Sequence, residues 1–238
     1  MSKETNRGRV VAIHQPNYLP WTGYFHKMFS CDLFIFLDDV QFSRQSYTQR
    51  VQILSQGSTH WLTVPVLRSG RSGQLITETQ CNAATAWKRK HVATLRASYG
   101  RHPFFADVLA VVEAALSETS NNLAEINIGL IQALAAALQA PCRFARSSHM
   151  NVAATDATGR LVALVCAGGG SSYLHGRGGL QYQDEALFRA SSIELIPQAF
   201  TPRPYAQKGS DAFVAGLSTV DALFNLGFSG TRDALLSA

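Results

Sequence analysis

Val10-Val11-Ala12-Ile13-His14-Gln15-Pro16-Asn17-Tyr18-Leu19-Pro20-Trp21 joins a short apolar run to a polar and aromatic cluster. A β-branched run that is apolar on both faces predicts a buried strand over residues 10–14. Pro16 and Pro20 exclude an ordinary helix before Trp21. The sequence therefore predicts a strand that ends in a loop carrying several hydrogen-bonding side chains.

A second apolar run ends in the same manner, because Leu33–Leu37 leads into Asp38-Asp39-Val40-Gln41. Between the runs, a buried stripe that includes Phe25 and Phe29 predicts a helix over about Trp21–Ser30. Strand, helix and strand in so few residues predict two parallel strands. Both polar clusters are then expected at one edge of the sheet, where open α/β sheets bind ligands.

The rest of the chain mostly alternates strand and helix patterns, which favours the α/β class with a mostly parallel sheet. We predict strands at 61–66, 142–148, 172–174 and 193–200, and helices at 85–98, 104–117, 122–138 and 158–166. A last helix is expected after its cap Ser218, with Asp221 completing a capping box, and it is expected to stop at Gly227. Residues 41–58 are predicted to be irregular, 68–74 to be a flexible loop, and 1–9 to be a flexible N-terminus. The predicted organisation is one domain over residues 10–238, with a helical segment at about 85–140.

The composition narrows the class of protein. The 238 residues include 46% hydrophobic and 16% charged residues, which suits a well-buried core. A net charge of +5 is compatible with a phosphorylated ligand, nucleic acid or an anionic membrane. Lys and Arg do not cluster, so we expect no specific nucleic-acid partner. No signal peptide and no apolar run of about twenty residues is seen, so we expect a cytoplasmic protein without a membrane partner.

Metal and disulfide sites are not expected. The cysteines Cys31, Cys81, Cys142 and Cys166 form no Cys-x-x-Cys pair and have no histidine at ligand spacing. Their scatter is typical of reduced thiols in a cytoplasmic protein.

The first candidate site follows the first predicted strand. It consists of His14, Gln15, Asn17, Tyr18 and Trp21. The imidazole of His14 suits a general base or a hydrogen-bond donor near neutral pH. The alternative, a loop with a satisfied histidine and packing aromatic rings, stays open.

The second candidate site is Asp38, Asp39 and Gln41. Two carboxylates directly after an apolar strand are costly unless they meet water, a cation or hydrogen-bond donors. One of them could bind a substrate amine or a metal, or act as a base, while the alternative is a turn cap beside a solvated carboxylate. Successive side chains of an extended chain point to opposite faces, so we expect only one of the two aspartates to face the site.

Four more residues complete the candidate set. Arg44 and Arg50 lie in the segment that begins at the predicted edge, and arginine suits bidentate recognition of carboxylate or phosphate. Lys90 and His91 lie on an amphipathic predicted helix, where a surface lysine and a packed histidine are the favoured interpretation.

Two glycine-rich stretches, 168–172 and 176–179, could cradle a phosphate with backbone amides. Neither matches a P-loop or a dinucleotide fingerprint, so flexible connectors are favoured. No Gly-x-Ser-x-Gly elbow is present, and nothing in the sequence argues for covalent catalysis.

Several of these stretches resemble one family. Ala12–Phe25 resembles the opening signature of the WbqC-like proteins, and Phe36–Ser43 and Trp61–Val66 are similar to its second and third blocks. Trp87, Lys90-His91, Tyr99 and Leu223–Gly227 resemble its helical and C-terminal blocks. The resemblance runs from about residue 10 to residue 228.

The resemblance implies a function in bacterial surface-polysaccharide or secondary-metabolite biosynthesis. It implies a transferase that moves an acyl or aminoacyl group, such as glycine, to an amine such as an amino sugar. The matching positions, to which the family assigns no established roles, are His14, Gln15, Asn17, Tyr18, Asp38, Asp39, Gln41, Arg50 and Lys90-His91. The expected partner is a small-molecule substrate, and this includes carrier-bound and phosphorylated ones. The sequence leaves open which cofactor is used, if any, ATP or a metal included.

For that reaction we expect His14 or one of Asp38 and Asp39 to act as the base. Asn17 or Arg50 would stabilise the carbonyl oxygen.

A second likeness concerns the fold. The order strand, Pro-x-Tyr-Leu, helix, strand looks like nucleotidylyltransferases and pantothenate synthetase, in which an HxGH motif binds ATP phosphates. This chain has Trp21-Thr22-Gly23-Tyr24 there, with neither histidine. A nucleotide-dependent enzyme and a non-catalytic module that binds a sugar nucleotide are therefore the alternative functions.

Overall fold

The computed structural model describes residues 8–67, 73–176 and 184–238. The chain divides into two compact units. The sheet unit consists of Met1–His14, Lys27–Leu37 and Pro141–Ala199, and the helical unit of Gln15–His26, Asp38–Ala140 and Phe200–Ala238. Helix α1 (Thr22–Phe29) contains one of the boundaries between them.

The sheet unit is built on five parallel strands. They are β1 (Val10–His14), β2 (Leu33–Phe36), β5 (Arg143–Arg146), β6 (Ser172–His175) and β7 (Glu194–Pro197), in the order β5-β2-β1-β6-β7. Helices α5 (Ala157–Ala167) and α6 (Glu185–Ala190) belong to the same unit. This sheet confirms the predicted α/β class with parallel strands, while the nucleotidylyltransferase subtype stays a prediction.

Burial explains why these short runs become strands. Val11, Ile13 and Ile35 join Tyr173 and Phe188 in one apolar cluster. Parallel strands covered on both faces need continuous apolar runs, and β1 and β2 supply them. The predicted parallel pairing of β1 and β2 is confirmed.

The two central strands end together. His14 is the register partner of Phe36, and the N–H of Leu37 donates to the carbonyl oxygen of His14 at 2.9 Å. The polar residues that follow β1 and β2 in the sequence therefore leave the sheet at the same edge.

The described part of the helical unit contains a hairpin and, besides residues 22–26 of α1 and short 3-10 turns, four α-helices. The hairpin pairs β3 (Arg50–Ser55) with β4 (Ser58–Thr63), and the helices are α2 (Trp87–Tyr99), α3 (Phe105–Ser117), α4 (Leu123–Ala137) and α7 (Thr219–Leu236). Asn122 caps α4 by accepting from the N–H of Glu125, and Ser218 caps α7 by accepting from the N–H of Val220. The predicted helical segment at about 85–140 is therefore present as α2, α3 and α4.

The hairpin corrects two predictions. The strand predicted at 61–66 begins earlier, at Ser58, and pairs with β3 in a sheet of its own. β3 lies inside the segment predicted to be irregular. The turn between them is Gln56-Gly57, with φ of +50° and +77°, which is the two-residue geometry that matches strand twist. The first position of such a turn is usually Asn, Asp or Gly. Because this turn has Gln56 there, the sequence did not indicate a hairpin.

The C-terminal helix confirms one prediction and corrects another. Gly227, with φ +71° and ψ −178°, is non-helical and interrupts α7 as predicted, and a second helical stretch then continues to Leu236. Asp221 does not complete a capping box. Its carboxylate accepts from the hydroxyls of Tyr99 and Tyr205 and from the amide of Gln207, at 2.7–3.0 Å. Tertiary donors thus override the local capping pattern.

Helix α6 was not expected, because its six residues are too few for a periodic signal. Residues 1–7, 68–72 and 177–183 lie outside the described residues, and with them most of the predicted loop at 68–74 and of the glycine-rich stretch at 176–179. Within residues 8–67, 73–176 and 184–238, no helix combines the length and the apolar composition needed to cross a bilayer.

Candidate functional site

The Gln15–Trp21 segment, which follows β1, is a buried and anchored loop. Asn17 is 6% exposed, and Tyr18 and Leu19 are fully buried. Its backbone polar groups therefore need partners inside the protein. They find them on α1, α4, α7 and the segment that leads into β3, as the following contacts show.

Tyr24 and Asn127 hold the first half of the loop. The hydroxyl of Tyr24 donates to the carbonyl oxygen of Gln15 at 3.0 Å and hydrogen-bonds the backbone of Asn17. The side-chain amide of Asn127 donates to the carbonyl oxygens of Pro16 at 2.9 Å and Thr48 at 2.8 Å. Asn127 thereby ties the loop to the turn before β3.

The second half is held by helix α7. The hydroxyl of Ser218 donates to the carbonyl oxygen of Leu19 at 2.7 Å, and the N–H of Thr219 donates to that of Pro20 at 2.8 Å. Leu19 has φ +42°, a left-handed conformation that these neighbours fix. The ring of Trp21 lies so close to Gly23 that a Cβ there would be 2.4 Å from it.

Tyr18 and His91 form a buried pair. The Tyr18 hydroxyl lies 2.8 Å from Nδ1 of His91, and the imidazole also hydrogen-bonds the backbone of Thr63. Burial lowers the pKa of His91 to about 4, against a smaller opposing effect of the Thr63 bond. Burial also raises the pKa of Tyr18. Both groups are neutral at pH 7, so this pair positions the loop.

Gln15 and Trp21, at the two ends of the loop, are half-buried and retain accessible surface. The hydroxyl of Thr48, which is 1% exposed, donates to Oε1 of Gln15 at 3.3 Å. Gln15 is thus more accessible than Asn17, the other amide side chain of this anchored loop.

The aspartate doublet is asymmetric. Asp38 is fully buried, and Asp39 is partly exposed. Their segment is fixed by backbone bonds, from Thr77 N–H to Asp38 O at 3.1 Å and from Ile76 N–H to Val40 O at 3.0 Å. Asp39 is therefore the more accessible of the two aspartates, and which of them faces a substrate stays a prediction.

The remaining candidates are spread over different environments. Gln41, Arg44 and Lys90 are exposed, and Arg50 stacks on Trp61 with 4.1 Å between the guanidinium carbon and the ring centre. His14 belongs to the sheet unit, where it is the half-buried last residue of β1. The helical unit therefore contains every candidate site residue except His14, and their roles stay predictions.

Sequence reasoning missed Asn127 and Thr48, which organise this region. Asn127 lies four residues after Leu123 and three before Leu130, in the middle of the apolar stripe of α4. A polar residue on an apolar helix stripe is expected to be buried and hydrogen-bonded, and this pattern could have identified Asn127 from the sequence. Thr48 offered no comparable signal.

A cavity of about 520 Å³ lies elsewhere, in the sheet unit. Its lining includes Arg9, Asp32 and Arg143, which stand at the amino ends of β1, β2 and β5. Ligands of open α/β sheets bind at the carboxyl ends, so this cavity is not at the predicted edge.

Fold and sequence together define a class: an α/β protein whose parallel sheet is accompanied by a helical unit that carries nearly all of the motif residues. The model of the WbqC-like protein family matches residues 15–233. An uncharacterized protein of Mycobacterium tuberculosis, Rv1507c, is 32% identical over 221 residues, which cover 92% of this chain and 94% of that protein. The chain belongs to the WbqC-like protein family, as the resemblance implied. No solved structure matches this one.

Proposed function

We propose that this chain transfers an acyl or aminoacyl group, such as glycine, to an amine such as the amino group of an amino sugar. Membership of the WbqC-like family supports this proposal. The observation that carries it is the asymmetric doublet, in which the accessible carboxylate of Asp39 follows the fully buried Asp38 on a fixed backbone. A carboxylate in a fixed position suits both the binding of an ammonium group and the removal of its proton.

The chemistry needs a neutral amine. Asp39 accepts a proton from the substrate ammonium, and the freed nitrogen lone pair attacks the carbonyl carbon of the acyl donor. The bond between carbon and the leaving sulfur or oxygen then breaks. The new amide nitrogen gives up its second proton, and the leaving group takes up a proton, so protons balance over the reaction. The donor is a thioester or an ester, which carries the activation needed for amide formation.

The oxygen of the tetrahedral intermediate needs donors that are already in place. Asn17 is the candidate on the anchored loop, whose backbone Tyr24 fixes on either side of Pro16. A donor that does not have to reorganise is worth more in the transition state than a mobile one. His14 stays a separate proposal for the base, tested by His14→Ala alone.

Detection of the amide product tests this function. The full chain is incubated with hexosamines, hexosamine 1-phosphates and nucleotide-linked hexosamines, each with glycyl and short acyl thioesters. Mass spectrometry then searches for the sugar amide. We expect one sugar class to gain the acyl mass in an enzyme-dependent manner. Absence of any amide across the matrix, with ATP and Mg²⁺ bound instead in calorimetry, would favour the nucleotide-dependent alternative.

A further inference from the structure

Two aromatic rings are exposed side by side in the helical unit. Trp61 is 37% exposed and Tyr47 is 54% exposed. Their ring centroids are 6.2 Å apart with an angle of 42° between the planes. Two large aromatic rings that are exposed side by side leave apolar surface in contact with water. Such adjacent apolar surface is typical of a site that binds a ligand or a partner. Two tilted rings form a shallow apolar platform.

Polar side chains share the face of the hairpin that carries Trp61. In the antiparallel register Gln52 is opposite Trp61 and Arg50 is opposite Thr63, and opposite residues point to the same face. The guanidinium carbon of Arg50 is 4.1 Å from the centre of the Trp61 ring. The platform is therefore defined by Tyr47, Arg50, Gln52, Trp61 and Thr63, and it combines aromatic rings, amide, hydroxyl and positive charge.

The platform has a fixed backbone. The carbonyl oxygen of Tyr47 accepts from the N–H of Tyr18 at 2.9 Å, and the side-chain amide of Gln49 donates to the carbonyl oxygen of Val64 at 2.9 Å. Arg50 Nε is buried and has no hydrogen-bond partner among the described residues. The contact that the structure gives for this guanidinium group is the stacking on Trp61.

We propose that this platform binds the sugar ring of a phosphorylated hexosamine, with the ring on Trp61 and Tyr47 and the phosphate on Arg50. The identity of the sugar as the acyl acceptor rests on the proposed function. The C–H faces of a pyranose are apolar and match aromatic rings, while its hydroxyls match Gln52 and Thr63. The positive charge of Arg50, which stacks on Trp61, complements the charge of a phosphate.

Calorimetric titration of the full chain with glucosamine 1-phosphate, galactosamine 1-phosphate and mannosamine 1-phosphate tests this proposal. At least one of them is expected to bind. Trp61→Ala should weaken binding at least about tenfold, whereas Trp61→Phe, which keeps an aromatic ring, should lose less than about fivefold. Leu236→Ala removes another exposed apolar side chain, which is 63% exposed, and should leave binding unchanged.

The phosphate contact has its own readout. In the wild type, a hexosamine without the phosphate should bind more weakly than the hexosamine phosphate, by about the factor that Arg50→Gln costs. In the Arg50→Gln variant, the sugars with and without the phosphate should bind equally. No binding of any hexosamine phosphate, or binding that Trp61→Ala leaves intact, overturns the platform. Binding of a nucleoside or a protein alone overturns it as well. Sugar binding without any acyl transfer would support the platform and contradict the proposed reaction. Acyl transfer with an unchanged KM in Trp61→Ala would support the reaction and contradict the platform.

Discussion

The hydroxyl of Tyr18 lies 2.8 Å from Nδ1 of His91 in a buried pair that joins the Gln15–Trp21 loop to helix α2. Because the other hydrogen bond of the imidazole is to the backbone of Thr63, Nε2 carries the proton to a carbonyl oxygen and Nδ1 accepts from the tyrosine. A histidine satisfied in this way is neutral. It stabilises the loop only while it stays neutral.

This pair makes stability depend on pH. Burial lowers the pKa of His91 to about 4, so the unfolded chain takes up a proton at a higher pH than the folded chain does. The contribution of neutral His91 to the free energy of unfolding is complete above about pH 6.5. It decreases by about 3 kcal/mol as the pH falls to about 4. Chemical unfolding at several pH values should show that the free energy of unfolding decreases less steeply between about pH 6.5 and about 4 in His91→Gln than in the wild type. His60→Gln, at an exposed position of β4, should keep the wild-type slope.

Asn127 should be a structural determinant of the motif loop. Asn127→Asp keeps the shape but removes the donors to Pro16 O and Thr48 O, which leaves two carbonyl oxygens unsatisfied. We expect the free energy of unfolding to fall by about 2 to 4 kcal/mol. Gln132→Ala, an exposed change on the same helix, should alter it by less than about 0.5 kcal/mol. Equal effects of the two changes in urea unfolding would contradict this role.

Two glycines should respond with opposite signs to the same substitution. Gly227 has φ +71°, and a Cβ there would be 2.8 Å from the ring of Phe104, so Gly227→Ala should cost at least about 2 kcal/mol. Gly129 lies inside α4 with nothing within 4 Å of an added Cβ. Gly129→Ala should therefore raise stability by up to about 1 kcal/mol. Thermal unfolding of both variants measures the two signs, and a stabilising Gly227→Ala would show that the kink is not required.

The cysteines should react at different rates. Cys166 is exposed, whereas Cys31, Cys81 and Cys142 are buried. A hydrogen bond with Cys142, together with burial, raises the pKa of the Cys31 thiol, and burial raises that of Cys81 to about 12. Because the thiolate is the reactive form, one thiol should react rapidly with a disulfide reagent under native conditions. Cys166→Ser should abolish that rapid phase, and a rapid phase that persists would show that a buried thiol is accessible.

Much of the sheet could be predicted because its signals are local. The run Val10–His14 is apolar on both faces and is observed as β1 with the predicted bounds. Likewise, the apolar periodicity of α4 and the cap at Ser218 are readable within a few residues. Such patterns depend on burial alone, which the order of apolar and polar residues records directly.

The candidate site was less predictable because its contacts are remote in sequence. Asn127 bonds Pro16 across 111 positions, and Asp221 accepts from Tyr99 across 122. Composition shows that Asp38 and Asp39 are adjacent, but only packing decides that Asp38 is sealed and Asp39 accessible. The exposed pair Tyr47 and Trp61 also depends on the hairpin register, since β3 left no periodic signal in the sequence.

The turnover number of Asp39→Asn in the amide-forming assay measures the chemistry of the accessible carboxylate. The asparagine keeps the size of the side chain and removes its basicity, so kcat should fall at least about a hundredfold while the melting temperature stays at the wild-type value. Asp211→Asn, at an exposed position of the same unit, should keep full turnover. A kcat of Asp39→Asn within about twofold of wild type would contradict the assignment of Asp39 as the base.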